Sequence, residues 1–126
     1  MPPVSLLNIA LIAGGGAAGS VLRYLLGTWV MARATHGWPW GTLLVNVLGS
    51  LLIGAVLAWH TRQQMPAQGY LLLATGFCGG FTTFSALSIE SWQLLRQQQY
   101  SALAVYLAAS LILGIGAAAL GYQLSK

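Results

Sequence analysis

The sequence predicts an all-α membrane protein of four transmembrane helices, the third of them broken. Charge is scarce: one acidic and five basic residues stand among 126, while 57% are hydrophobic. A soluble domain needs far more charge than this to cover its surface. Four apolar runs each reach the roughly 20 residues that a helical span requires. The third run is interrupted by Gly79-Gly80-Phe81-Thr82-Thr83-Phe84-Ser85, where glycines and β-branched threonines form helix poorly.

The spans run from Leu6 to Met31, Gly41 to Trp59, Tyr70 to Leu95 and Ala102 to Tyr122. His36-Gly37-Trp38-Pro39-Trp40 separates the first two, with Pro39 suited to a helix start and the tryptophans to the headgroup boundary. The polar stretches His60 to Pro66 and Arg96 to Tyr100 make the other two turns. Together the spans predict one four-helix transmembrane domain over residues 1–126, with no separate soluble domain. Ala17-Ala18-Gly19 has the small residues of a signal-peptide cleavage site, but no basic segment precedes the run and further spans follow it. The lone Cys78 has no disulfide partner and no metal-ligand companion, which leaves it a small packing residue.

Opening the backbone between Gly79 and Ser85 frees amides and carbonyls that hydrocarbon cannot satisfy. Such irregularity survives at membrane depth only where protein buries it or a polar cavity borders it, so the break predicts an ion or substrate site. Polar stripes point the same way. Thr42, Asn46 and Ser50 repeat at four-residue spacing in the second span, as do Tyr106, Ser110 and Gly114 in the fourth, and each set therefore shares a helical face. Amide and hydroxyl groups donate hydrogen bonds without carrying positive charge, a chemistry that suits an anion. Interhelical hydrogen bonding is the competing role for the serines and threonines. Asn46, with more groups to satisfy, is the stronger site candidate.

Loop charge is balanced. With four spans Arg62 and Lys126 share one side while Arg33 and Arg96 occupy the other, two against two. Loop lysines and arginines normally set orientation, so either both orientations are populated or features beyond these loops fix one. Small residues let membrane helices approach closely, and Gly15/Gly19 and Gly76/Gly80 have the spacing for it. Four short helices enclose little volume, which favours oligomerisation. No nucleotide loop, metal-ligand cluster or nucleophile-base pair is present, so no enzyme is predicted. The basic balance reflects few charges and not a nucleic-acid patch.

Three segments in order resemble the signatures of the Fluc/CrcB fluoride channels: Gly19-Ser20-Val21-Leu22-Arg23-Tyr24, Gly41-Thr42-Leu43-Leu44-Val45-Asn46, and Thr75 through Ser85. The resemblance covers essentially the whole chain. It implies a passive fluoride exporter of the bacterial cytoplasmic (inner) membrane, built as an antiparallel dual-topology homodimer with two pores and surrounded by lipid. It also implies a structural sodium ion held by the backbone carbonyls of Gly79 and Thr82 of both copies. The implied pore residues are Asn46, Phe84, Ser85, Thr42, Tyr106 and Ser110: amide donor, ring-edge contact, hydroxyl donor, two lining groups and a second hydroxyl donor. Arg23 and Glu90 match its charged positions, Arg23 as a vestibule that attracts anions and Glu90 as a helix-end or vestibule group.

One position departs from the pattern. Leu87 stands where the family usually carries a second phenylalanine, and leucine keeps bulk without the ring's positive edge. The rival reading is a small proton-coupled multidrug transporter of dual topology. That chemistry needs a membrane carboxylate, and Glu90 is the only one in the chain.

Overall fold

A computed structural model describes residues 2–34 and 37–126, so His36 of the first connection lies outside the described residues. Helix α1 covers Leu6–Arg33 and α2 covers Trp40–Thr61. The short α3, Ala67–Tyr70, continues into a π-helical segment, Leu71–Cys78, and then α4, Gly79–Phe81. After Thr82 and Thr83 the chain resumes as α5, Phe84–Arg96, and α6, Tyr100–Leu124, completes it. Four helical stretches are long and apolar enough to cross a membrane, the third reaching from Ala67 to Arg96. Each extends the run expected from sequence by one to three residues at an end, because hydropathy fades at polar ends that still hydrogen-bond as helix.

Local chemistry fixes the ends. The Ser5 side chain accepts the Asn8 amide at 3.2 Å and starts α1, while Arg33 closes it with its guanidinium 4.2 Å from the Trp29 ring centroid. Pro39 directly precedes α2, as its fixed φ favours. The turns after α2 and α5 each place a glutamine in the left-handed region, Gln63 at φ 58° and Gln98 at φ 57°.

Backbone-to-backbone approach joins the spans. On α2 and α6, a Cβ at Gly54 would strike the Ala118 carbonyl and one at Gly121 the Leu51 carbonyl. On the other side, Gly15 and Gly19 lie against the backbone of Leu72, Gly76 and Phe77, and Gly80 against Gly16. The two glycine pairs singled out by spacing therefore meet across one interface, where side chains would hold the helices apart. Leu43, Leu94 and Tyr106 form a buried core with Trp38, Val47 and Leu87 packed around it.

Large apolar side chains cover the outside; Ile112 and Ile115 are each 70% exposed. Hydrocarbon solvates such a surface, and water does not. The protein is a multi-pass membrane protein of all-α class, and among the described residues no strand occurs.

Candidate functional site

Within the glycine–threonine stretch, only Thr82 and Thr83 leave helical geometry, with φ/ψ of −90°/159° and −151°/120°. Glycines 79 and 80 stay helical: Gly80 sits tightly against Gly16 of α1, and helical φ/ψ costs a glycine only entropy. The threonines carry the extended backbone because a β-branched residue prefers it. Upstream, the eight-residue π-helical segment has no counterpart among the sequence expectations. Its i→i+5 bonding has no residue-type signature.

Groups on other helices take up the polar atoms released at Thr82–Thr83. An α-helix would have turned the Thr83 amide onto the Gly79 carbonyl. The amide donates instead to Asn46 Oδ1 at 2.8 Å, and Asn46 Nδ2 donates back to the Thr83 carbonyl at 3.2 Å. The Gly80 carbonyl, which would have received the Phe84 amide, accepts from Arg23 Nε at 3.0 Å. Thr83 Oγ1 accepts the Ala86 amide at 3.1 Å and so caps α5, within 3.1 Å of Ser85 Oγ. No hydrogen-bond donor among the described residues outside helical segments reaches the carbonyls of Gly79 or Thr82.

A second cluster centres on Glu90. Thr42 Oγ1 donates to its Oε1 at 2.5 Å, and Tyr106, fully buried, donates to its Oε2 at 3.1 Å. Thr42, Tyr106 and Glu90 thus converge from three helices. Trp38 stands behind Tyr106, its ring centroid 5.4 Å away at an interplanar angle of 76°.

Two cavities flank the extended backbone. A cleft of about 750 Å³ is bordered by Arg23, Thr28, Thr42, Thr83, Glu90 and Gln93. The smaller, about 220 Å³, is bordered by Asn46, Ser50, Thr82, Thr83, Phe84 and Leu87. Among the described residues only Thr83 lines both.

The structure therefore brings Asn46, Arg23, Thr82 and Thr83 to the interruption, and Thr42, Glu90 and Tyr106 to a neighbouring cluster. Phe84 projects outward at the start of α5, 80% exposed. Ser110 borders neither cavity and its hydroxyl is buried without a partner. Sequence reasoning gave Thr83 no role; a threonine just before an apolar helical run is an N-cap signal that could have found it. Arg23 and Glu90 share the larger cleft, yet no ion pair forms among the described residues: their partners are a carbonyl and two hydroxyls. No cluster of imidazole, thiol and carboxylate groups suited to a metal occurs among the described residues either.

A model of the family described as CrcB-like protein, Camphor Resistance (CrcB), matches residues 10–122. The chain belongs to the CrcB family. Among CrcB relatives, a protein of Agrobacterium fabrum named fluoride-specific ion channel FluC is 43% identical over 122 residues, covering 96% of this chain and 98% of its own. Relatives of the same name occur in Thermus thermophilus (47% identity, 90% of each chain) and Leptospira interrogans (46%, 94% of each). The match runs from within α1 to within α6, including both halves of the Asn46–Thr83 clasp and the Thr42–Glu90–Tyr106 cluster. These relatives are named as ion channels, a function without covalent chemistry.

Proposed function

We propose that this CrcB chain is a fluoride channel, letting the anion leave a bacterial cell passively across the cytoplasmic membrane. The observation that carries the proposal is the Asn46–Thr83 clasp between two cavities, in a chain whose relatives are named fluoride-specific over nearly their full length. A small anion that gives up its water needs hydrogen-bond donors already in place. Asn46, Ser85 and Ser110 are the donors of this reading, Thr42 and Tyr106, whose hydroxyls bond Glu90, line the path beside them, and the ring edge of Phe84 adds a weakly positive contact. Arg23, on the larger cleft with its Nε bonded to the Gly80 carbonyl, draws anions toward it.

The finer architecture is part of the same proposal. Two copies assemble antiparallel, consistent with the balanced loop charges, and form two pores. The third span acts as two half-helices meeting at Thr82–Thr83. A sodium ion at the dimer centre takes the carbonyl oxygens of Gly79 and Thr82, and the donor set fits: oxygen ligands suit a hard cation, and Asn46 has drawn the Thr83 amide away from Gly79. The whole of residues 1–126 works as one transmembrane domain.

The purified protein is to be placed in liposomes holding fluoride, with a potassium ionophore balancing charge. Fluoride-electrode recordings are expected to show rapid efflux, and matched chloride vesicles almost none. Proton-driven drug exchange without fluoride efflux would instead establish the multidrug transporter. The engagement of both Glu90 oxygens by Thr42 and Tyr106 counts against that rival, since a proton-exchanging carboxylate must be free to change partners.

A further inference from the structure

Trp38 stands in the connection between the first two spans, where its composition suits a headgroup anchor, yet its side chain turns inward. The ring packs on the buried core of Leu43, Leu94 and Tyr106. Its indole Nε1 donates to the Ala102 carbonyl at 3.3 Å. In the i→i−4 pattern of α6, that same carbonyl receives the backbone amide of Tyr106. The ring meets the Tyr106 ring at 76° with centroids 5.4 Å apart, an edge-to-face pairing, and it also meets the ring of Trp40, the first residue of α2, tilted at 58° with centroids 4.4 Å apart. One side chain thus holds the Tyr106 backbone register, the Tyr106 ring and the start of the helix that carries Thr42.

Both groups that Trp38 holds end on Glu90: Tyr106 through its phenol at 3.1 Å and Thr42 through its hydroxyl. Rotation about the Cα–Cβ bond swings a tyrosine hydroxyl by several ångströms, so packing that holds the ring in its rotamer fixes the donor.

We propose that Trp38 is a positioning residue of the conduction path, aiming the Tyr106 hydroxyl and thereby setting the rate and selectivity of anion passage without touching the ion. The proposal rests on the channel function above. It assigns to the first connection a part in conduction that its position at the membrane edge does not suggest.

The test is a double-mutant cycle in fluoride-efflux liposomes. Trp38→Leu removes the aromatic system, Trp38→Phe keeps one aromatic ring while removing the indole N–H and the second ring, and each is combined with Tyr106→Phe. In the parent background Trp38→Leu is expected to slow efflux about three- to tenfold, the range an aromatic edge contact controls, and to lower the fluoride-to-chloride ratio. In the Tyr106→Phe background the same change is expected to cost less than about twofold, because the hydroxyl it aims is gone. Equal losses in both backgrounds, or parent rate and selectivity in Trp38→Leu, would overturn the proposal. A residue that merely supports the fold slows both backgrounds alike. Should Trp38→Leu fail to purify as a monodisperse species, Trp38→Phe decides by the same cycle, with a smaller loss confined to the parent background. Absence of fluoride efflux from the unsubstituted protein is a separate result that removes the channel function, and this inference with it.

Discussion

Asn46 and Thr83 hold each other by a closed pair of hydrogen bonds, Thr83 N–H to Oδ1 at 2.8 Å and Nδ2–H to the Thr83 carbonyl at 3.2 Å. Amide and peptide unit are matched donor to acceptor on both sides, so the irregular backbone at Thr83 is completed by a side chain 37 residues earlier. Asn46→Ala leaves both peptide groups orphaned in an apolar surround. We expect a loss of about 1–3 kcal/mol for each unsatisfied group, seen as a lowered Tm in detergent, together with loss of fluoride efflux. Asn46→Asp keeps the acceptor and loses the donor, so it should fold better than the alanine variant and still fail to conduct.

Leu87 lines the smaller cavity beside Asn46 and Phe84 and packs on the Tyr106 core. Space of about 220 Å³ lies next to it, enough to take a ring without displacing the core. Leu87→Phe is expected to cost less than about 1.5 kcal/mol in stability, as volume-tolerant apolar exchanges do. Efflux should rise severalfold if a second ring edge assists the ion. Unchanged efflux would show that Phe84 alone supplies that contact.

Glu90 accepts from Thr42 and Tyr106, and a hydroxyl can accept as readily as it donates. Glu90→Gln therefore lets one hydroxyl turn round and accept from the new amide, and its unfolding transition should stay close to the parent's. Glu90→Leu offers nothing to either hydroxyl and is expected to cost about 2–6 kcal/mol for two orphaned groups. Thermal unfolding of the two variants side by side makes the comparison.

The glycines divide sharply by what surrounds them. A Cβ at Gly54 or Gly121 meets backbone of the facing helix, so Gly54→Val or Gly121→Val should prevent recovery of monodisperse protein. Nothing lies within 4 Å of a Cβ at Gly14, Gly27 or Gly116. Alanine there is expected to leave folding intact, and each gains up to about 1 kcal/mol of helix propensity. Size-exclusion profiles distinguish the two groups directly.

How much of this was legible beforehand depends on whether a feature lives within one segment or between several. The spans were readable because hydropathy is local, and Gly15/Gly19 with Gly76/Gly80 because close approach leaves a spacing. Asn46 stood out as an amide in an apolar run, but its partner Thr83 offered a main-chain group, and main chain has no letter in the sequence. The Glu90 cluster was hidden differently. Thr42 had been placed on a stripe with Asn46, yet its hydroxyl turns to a carboxylate 48 residues away, a choice made by packing among α2, α5 and α6. Trp38 looked like a headgroup anchor because tryptophan often is one; the carbonyl of Ala102 drew it inward instead.

Of the polar groups released beside Thr83, Arg23 on α1 takes one and Asn46 on α2 takes two. A chain made from its N-terminus delivers both of these helices to the bilayer before the third span arrives. The third span thus enters lipid with its missing partners already waiting on two neighbours, whereas alone it would expose an amide and two carbonyls to hydrocarbon. Order of synthesis and order of hydrogen bonding coincide. A circular permutant beginning at Ala67 would reverse that sequence of events and ask the interrupted span to insert first and unaided.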